Sequence, residues 1–228
     1  MTYVLLRPDP LTLARKHAGS FGKVVLEDSV RPLKEIFSDP TVRYATTSMV
    51  IGQLVMTLLM VITPLHMNHN AHSTQTISLV IMAHAMGMFG LSNLTGWLVI
   101  RYGRESVIRL GVVTLIVSSV LTPVSPQFVP LALALFLLGI GWNFCFIAGS
   151  SLLADSLAPN EKGRVQGANE MFISISASLG SMGTGIAFVG GGIVACAVIG
   201  FVCSLGLGVY SIIYGRRTRT DEQELRSA

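Results

Sequence analysis

Three long stretches of the sequence contain no Lys, Arg, Asp or Glu: residues 44–100, 110–154 and 171–215. They hold 57, 45 and 45 residues, whereas one transmembrane helix needs about 20 apolar residues. Each stretch therefore has room for two membrane-spanning helices and a short connection. Charged residues make up only 12% of the chain, against about 25% in soluble domains. This pattern excludes a water-soluble fold.

Residues that favour a turn lie near the middle of each uncharged stretch. They are residues 63–73 (TPLHMNHNAHS), residues 122–130 with their three prolines, and the glycine run 190–192. Proline disfavours continuation of a helix. We therefore predict an all-α membrane protein with six transmembrane helices, over residues 45–65, 76–99, 106–122, 130–153, 168–189 and 193–214.

The positions of the basic residues predict the topology. If each uncharged stretch is a helical hairpin, all sixteen Lys and Arg residues lie on one side of the membrane. An excess of Lys and Arg in short loops marks the cytoplasmic side. We therefore expect a multi-pass protein of the cell membrane with both termini in the cytoplasm, made of a cytoplasmic segment (residues 1–43), a transmembrane domain (44–215) and a cytoplasmic tail (216–228). Contact with anionic membrane lipids explains the net charge of +4 without a nucleic-acid partner.

The segment GWLVIRYGR, residues 96–104, lies where the first uncharged stretch ends and leads toward the second. Gly96 and Gly103 suit a tight connection between two helices. Arg101 and Arg104 are expected at the membrane surface, where Asp155, at the end of the fourth predicted helix, is a candidate ion-pair partner. The alternative is simple anchoring by positive charge.

This loop resembles the G-x-L-x-D-R-x-G-R motif of the major facilitator superfamily, and it joins the second and third predicted helices as in that family. Ile100 stands at the motif's acidic position, so any contact made by that Asp is absent. The runs GIGWNFCFIAGSSLLAD, EKGRVQGANE, TPLHM and LLRPDP are similar to bacterial drug-efflux-like members. The family usually has twelve transmembrane helices in two halves. LLRPDP resembles the segment after the sixth helix, so the resemblance implies a C-terminal half built from two three-helix repeats.

The resemblance also implies a substrate path between the two halves, faced by the first and fourth helices of each half. Polar, aromatic and methionine side chains on these helices are the candidates: Gln53, Thr57, Met60, Trp142, Asn143 and Phe146. Flexible methionines and aromatic rings suit varied apolar substrates, although packing against neighbouring helices is an alternative. His84 is the ionisable residue inside a predicted helix. Proton coupling is one interpretation of it, and a neutral, hydrogen-bonded histidine is the other.

Charged residues at the predicted cytoplasmic ends form a candidate gate. Glu170 is predicted to open the fifth helix, where the helix dipole favours an acidic residue, with a gating contact as the alternative. The loop-motif and gate candidates are Gly96, Arg101, Gly103, Arg104, Asp155, Arg164 and Glu170. His66, His69 and His72 have spacing that could hold a metal on a helix. However, no carboxylate or thiol is adjacent, so we expect a solvated turn, no metal and no cofactor.

The resemblance implies transport of a small molecule by alternating access, as proton-coupled efflux of hydrophobic or amphipathic compounds. The expected partner is an N-terminal six-helix half or a second copy of the chain. The alternative is a truncated, non-transporting membrane protein that binds or regulates a partner. The sequence contains no Gly-x-Ser-x-Gly, HExxH or Walker motif, so we do not expect an enzyme.

Overall fold

The computed structural model describes residues 31–227, and all regular structure in them is helical. The helices are α1 (Leu33–Ile36), α2 (Pro40–His69), α3 (Thr74–Ala85), a π-helix (Met86–Gly90), α4 (Ser92–Tyr102), α5 (Arg104–Leu121), α6 (Phe128–Asp155) and α7 (Lys162–Ser227). α7 is interrupted at Gly191 and Gly192, whose backbone is not helical. No strand occurs in these residues, which confirms the predicted all-α class.

Several of these helices are long and apolar enough to cross a membrane. α2, α6 and the part of α7 from Lys162 to Thr218 meet this condition individually. The pair Thr74–Gly90 and Ser92–Tyr102 meets it jointly, with a bend of 40° between them. α5 has 18 residues and begins with a charged turn. The structure therefore supports the membrane-embedded protein that the uncharged stretches predict.

α2 lies at the centre of the bundle, against α6 and both parts of α7. Near its start, the Tyr44 hydroxyl lies 2.7 Å from the Ser211 hydroxyl, and the Tyr44 ring stacks on Tyr214 with centroids 4.3 Å apart. On α6, small residues permit close approach: a Cβ atom on Gly141 would lie 2.8 Å from Leu115 Cγ of α5. The core forms where α2, α5, α6 and the second part of α7 meet.

The first predicted connection is shorter in the structure than in the prediction. α2 continues through Pro64 to His69, so residues 70–73 alone join α2 to α3. Inside a membrane, leaving the helix would expose backbone groups to lipid, and Ser or Thr side chains help a helix to tolerate proline. Consistent with this, the Thr63 hydroxyl donates to the carbonyl of Leu59 at 2.7 Å. The first helix therefore ends four residues later than the predicted end at residue 65.

The second predicted helix, residues 76–99, is not continuous. Five residues form the π-helix, and Leu91 after it is outside any helix. A π-turn widens the backbone and leaves a carbonyl without its usual partner. The side-chain amide of Asn143 in α6 donates to a carbonyl of this segment, that of Met88. No local sequence period reveals this interruption, because its partner lies 55 residues away.

Two glycines bring α6 against the interrupted helix. A Cβ atom on Gly139 would lie 2.4 Å from the His84 carbonyl oxygen, and one on Gly87 would lie 2.3 Å from the Phe136 carbonyl oxygen. Any larger residue would force the two backbones apart. The contact fixes the position of the π-helix on α6.

The charged segments meet at one end of the bundle, which we call the charged end. Arg31 contacts Glu161 there, and Arg104 contacts Asp155. Residues 1–30 of the predicted segment 1–43, including LLRPDP, lie outside the described residues. Helix α7 continues without a break from residue 193 through the predicted tail to Ser227.

Candidate functional site

Gln53 of α2 and Trp142 of α6 are joined by a hydrogen bond across the bundle. The indole Nε1–H of Trp142 donates to Gln53 Oε1 at 2.8 Å. Gln53 Nε2 in turn donates to Thr57 Oγ1 at 3.1 Å, one helical turn along α2. All three side chains are half-buried. The structure thus brings together three of the residues predicted for the substrate path and fixes the orientation of the amide.

Two further aromatic rings extend this group. Phe146 stacks on Trp142 with centroids 4.8 Å apart and an interplanar angle of 18°. Phe89 of the π-helix approaches Trp142 edge-on, with centroids 6.4 Å apart, and is 66% exposed. Sequence reasoning missed Phe89 because the predicted continuous helix gave no reason to single out this residue. Only the π-helix and its contact with α6 place it here.

The group also reaches the first part of α7. A Cβ atom on Gly180 would lie 3.2 Å from Thr57 Cβ and 3.1 Å from the Leu54 carbonyl oxygen, so glycine allows α7 to pack closely on α2. We call Gln53, Thr57, Phe89, Trp142 and Phe146 the polar–aromatic strip. It crosses from the α7 side of α2 over α6 to the π-helix.

Met60 lies one turn beyond Thr57 on α2. It is half-buried and packs against the hydrophobic core, as the packing alternative predicts. Its side chain therefore packs between helices and makes no contact within the polar–aromatic strip. A role for Met60 in the substrate path stays a prediction.

Asn143 lies outside the polar–aromatic strip, although it follows Trp142 directly. Its side chain is 1% exposed. The amide nitrogen donates to the Met88 carbonyl and to Ser92 Oγ, and the amide oxygen accepts from the Thr95 hydroxyl. These contacts occupy the amide and hold the interrupted helix against α6. This placement fits the packing alternative, because successive residues of a helix point in different directions. A role for Asn143 in the substrate path stays a prediction.

His84 is buried between α3 and α6, with 3% of its side chain exposed. Its Nδ1 lies 3.0 Å from the Leu135 carbonyl oxygen. Because a carbonyl only accepts, Nδ1 carries the proton in this contact. Nε2 is buried without a hydrogen-bond partner among the described residues. The geometry favours the neutral histidine of the two predicted alternatives, and proton coupling through His84 stays a prediction.

Arg104 makes the contact with Asp155 that the loop predicts. Its guanidinium forms an ion pair with the Asp155 carboxylate, and its Nε donates to Ser151 Oγ at 3.0 Å. Both partners belong to the last turns of α6, so Arg104 ties the start of α5 to the end of α6. Arg101 is exposed and forms no ion pair with the described side chains of residues 31–218. The gating role of these residues stays a prediction.

The two glycines of the loop differ in their structural roles. Gly103 separates α4 from α5 with φ 82° and ψ 158°, a backbone conformation that is essentially restricted to glycine. Gly96 lies inside α4, and a Cβ atom there would meet nothing within 4 Å. The prediction that Gly96 serves the tight connection is therefore wrong. Gly103 alone makes the turn.

Arg31 and Glu161 form an ion pair that sequence reasoning missed. Arg31 Nε and a terminal guanidinium nitrogen donate to the two carboxylate oxygens of Glu161, each at 2.8 Å. The backbone N–H of Ala158 donates to the same carboxylate at 3.3 Å, and Arg164 donates to the Arg31 carbonyl oxygen. The hydrogen bonds from Arg31 lower the pKa of Glu161 to about 2. No sequence pattern pairs two residues 130 positions apart.

The position of Glu170 corrects its predicted role. α7 begins at Lys162, so Glu170 lies in the third turn of that helix and not at its N-terminus. The first turn instead carries Lys162 and Arg164. The helix-dipole interpretation of Glu170 is therefore wrong. Its side chain is exposed and forms no ion pair with any described residue.

The histidines between α2 and α3 contact the nearby connections. A His66 ring nitrogen lies 3.2 Å from the Asn70 amide nitrogen, and His72 Nε2 lies 2.8 Å from the Pro126 carbonyl oxygen. The second contact joins the connection after α2 to the one before α6, at the end of the bundle opposite the charged end. Among the side chains that the structure describes, those of residues 31–218, no three His, Cys, Asp or Glu are grouped to hold a metal.

Comparison with known proteins identifies similar chains. The family model described as Major Facilitator Superfamily matches residues 4–228. The chain is 33% identical to the uncharacterized MFS-type transporter YdeG of Bacillus subtilis (strain 168), over 89% of this chain and 48% of that protein. It is 32% identical to the uncharacterized MFS-type transporter YddS of the same organism, over 94% of this chain and 50% of that protein.

A third relative carries a substrate in its name. The riboflavin transporter RfnT of Brucella anthropi is 34% identical to this chain over 148 residues, which cover 65% of this chain and 37% of that protein. The chain spans about half the length of the first two relatives that it matches.

Proposed function

Because the chain belongs to the Major Facilitator Superfamily of membrane transporters, we propose that it acts as the C-terminal six-helix half of a secondary transporter. In this proposal α2, α3 with α4, α5, α6 and the two parts of α7 are the six transmembrane helices. They form two three-helix repeats in the cell membrane, with the charged end on the cytoplasmic side. The small molecule crosses by alternating access, as this half rocks against a second half.

The observation that carries the proposal is the hydrogen bond between Trp142 and Gln53 in a half-exposed strip. An amide in contact with lipid hydrocarbon is costly, and Gln53 and Thr57 remain partly open on the surface of this chain. A partner or a substrate that covers the strip would remove this cost. The strip is therefore the proposed wall of the substrate path, and Met60 continues it along α2.

The helices beside the strip favour a second half as the partner. Large apolar side chains of the π-helix and the first part of α7 are more than half exposed, including Met86, Phe89, Leu179 and Met182. An N-terminal six-helix half that packs on these side chains would close a cavity over the strip. A second copy of the chain is the other partner with this geometry. Membrane lipids cover the remaining apolar faces.

We further propose proton-coupled efflux of hydrophobic or amphipathic compounds. Apolar rings with one amide offer little to a strongly polar solute, which supports this substrate class. His84 lies sealed between two helices, so it is a weak candidate for the main proton carrier. That carrier is therefore expected in the partner half. Arg104 and Asp155 are the proposed gate at the charged end.

The proposal is tested by flux into proteoliposomes that contain the full chain, alone and with a six-helix N-terminal half from the same genome. The probes are riboflavin and a hydrophobic dye, with and without an imposed pH gradient. We expect gradient-dependent flux that Gln53→Ala reduces about tenfold, since it removes a hydrogen-bonding group from the path. Val202→Ala is the control, because Val202 is 59% exposed and lies in the second part of α7, away from the strip and from the proposed partner surface.

The outcomes separate the possible functions. Flux that appears only with the N-terminal half supports a two-part transporter, and flux from the chain alone supports a homodimer. Absence of flux in both preparations overturns transport. Specific binding to another membrane protein would then favour the non-transporting alternative.

A further inference from the structure

We infer that the polar–aromatic strip binds neutral, planar aromatic compounds whose edge carries a hydrogen-bond donor and an acceptor. The inference rests on the proposed function and names the substrate class for the same site. It follows from the ring geometry, from the unused hydrogen-bonding capacity of Gln53 and from the distribution of charge.

The rings define the shape of the ligand. Trp142 and Phe146 stack with centroids 4.8 Å apart and an interplanar angle of 18°, so the two rings lie in nearly parallel planes and a third flat ring can continue the stack. Phe89 stands almost perpendicular to Trp142, at 72°, and is the most exposed of the three. A flat ligand ring can stack on this pair with the Phe89 ring edge-on beside it. Aromatic rings favour such stacked and edge-on contacts over contacts with saturated rings of equal size.

Gln53 defines the polar edge of the ligand. A glutamine amide offers two N–H donors and an oxygen with two acceptor sites. Trp142 occupies one acceptor site and Thr57 occupies one donor. One donor and one acceptor therefore remain, side by side on a single amide. These two contacts also hold the amide in one orientation. The matching ligand group is an amide or imide edge of a heterocycle.

The absence of charge around the strip selects a neutral ligand. All five residues of the strip lie in the uncharged stretches 44–100 and 110–154. His84, the ionisable residue in the interior of these helices, is buried against Leu135 instead of facing the strip. A charged ligand would have no counter-ion on this half. It would therefore lose hydration without compensation here.

The sequence provides a direct reporter of this site. The chain has two tryptophans, Trp142 in the strip and Trp97 in α4. In Trp97→Phe protein, all tryptophan fluorescence comes from Trp142. We would titrate this full-length variant in lipid nanodiscs with lumichrome, a neutral planar heterocycle with an imide edge that absorbs where tryptophan emits.

We expect saturable quenching of Trp142, which a second neutral planar imide reverses and a saturated imide of similar hydrophobicity does not. Phe89→Leu and Gln53→Ala, each on the Trp97→Phe background, should raise the apparent Kd about tenfold. The first removes an aromatic contact and the second removes the hydrogen-bonding amide. Phe89 is exposed, so its substitution leaves the packed core intact. Val202→Ala on the same background should bind as the parent does.

Three results would overturn the inference: no saturable quenching, equal displacement by the saturated imide, or tighter binding of a cationic planar dye than of its neutral analogue. Its failure is distinguishable from failure of the transport proposal. Flux of a non-planar solute in proteoliposomes without lumichrome binding would leave transport standing and remove the substrate class. Lumichrome binding without flux would leave the ligand class standing and remove transport.

Discussion

Arg31 donates two hydrogen bonds of 2.8 Å to the carboxylate of Glu161 and so connects the segment before α2 to the turn before α7. Glu161 is 3% exposed, whereas 42% of the Arg31 side chain is exposed. Apolar contacts reinforce the tie. Ile36 of α1 is fully buried, and the Phe37 ring meets Phe172 of α7 edge-on with centroids 5.5 Å apart. The segment 31–39 thus packs across the ends of α6 and α7.

The first prediction concerns the acid sensitivity of this ion pair. The pKa of Glu161 falls from an ordinary 4.5 to about 2 on folding. A lowered folded-state pKa contributes stability above the unfolded value, and this stability is lost as pH falls toward the folded value. We therefore expect the contribution to be constant above pH 4.5 and to disappear between pH 4.5 and about 2. Unfolding midpoints of detergent-solubilised protein across this range would measure it.

Arg31→Ala and Glu161→Gln separate the two partners. Arg31→Ala leaves a buried carboxylate without its cation and should lower the midpoint at pH 7 more than Glu161→Gln does. In both variants the loss of stability between pH 4.5 and 2 should shrink. An acid dependence equal to that of the unsubstituted protein would show that Glu161 is not held by Arg31. Glu170→Gln, at an exposed position, is the matched control and should change neither quantity.

The second prediction concerns the ion pair between Arg104 and Asp155. Arg104 is the first residue of α5 and Asp155 is the last residue of α6, so each charge opposes the dipole of its own helix. Exchanging them places an acid at the N-terminus and a base at the C-terminus. We expect Arg104→Asp with Asp155→Arg to unfold within about 1 kcal/mol of the unsubstituted protein, since exposed ion pairs contribute little. Each single change should be less stable than the double one.

Chemical denaturation of the two single variants and the double variant would measure the coupling. If the double variant is no more stable than either single variant, the direct pairing is wrong. The same three proteins test the gate. A gate that needs only the contact should support flux in the double variant and not in the single ones.

The sequence predicts those features that follow from apolar length and charge. Arg104 lies between the first two uncharged stretches and Asp155 follows the second, so their meeting at one end of the bundle follows from the hairpin pattern. Gln53 and Thr57 lie four residues apart, so their shared face follows from the helical period. These predictions need no knowledge of which helix packs on which.

Features created by contacts between distant helices could not be predicted. The π-helix accepts a hydrogen bond at Met88 from Asn143 of α6, and the same helix places Phe89 against Trp142. The ion pair of Arg31 and Glu161 depends on the fold of the whole charged end. The exact end of α2 could not be predicted either, since the membrane setting keeps the chain helical past Pro64 to His69.

The third prediction compares the two glycines of the GWLVIRYGR loop. Gly103→Ala should destabilise the protein by about 1–3 kcal/mol, because a Cβ atom is strained at φ 82°. Gly96→Ala should stabilise it by about 0.5–1 kcal/mol, because alanine is favoured inside a helix with open space. Denaturant unfolding in detergent would measure both. Equal effects of the two substitutions would contradict the assigned roles.

The last prediction concerns the contact between α6 and the interrupted helix. Gly139→Ala places a methyl group against the His84 carbonyl oxygen, at 2.4 Å before relaxation. Backbone atoms on a packed helix move little, so we expect a loss of about 1–3 kcal/mol from overpacking. Gly185→Ala is the control, because this glycine lies in α7 with nothing within 4 Å of the added atom. Gly185→Ala should raise the stability of the protein by up to about 1 kcal/mol.

A second measurement uses fluorescence. In Trp97→Phe protein, Gly139→Ala should also shift the Trp142 emission, since Phe89 moves with the π-helix. Unchanged stability and emission would mean that α6 and the π-helix do not pack through Gly139.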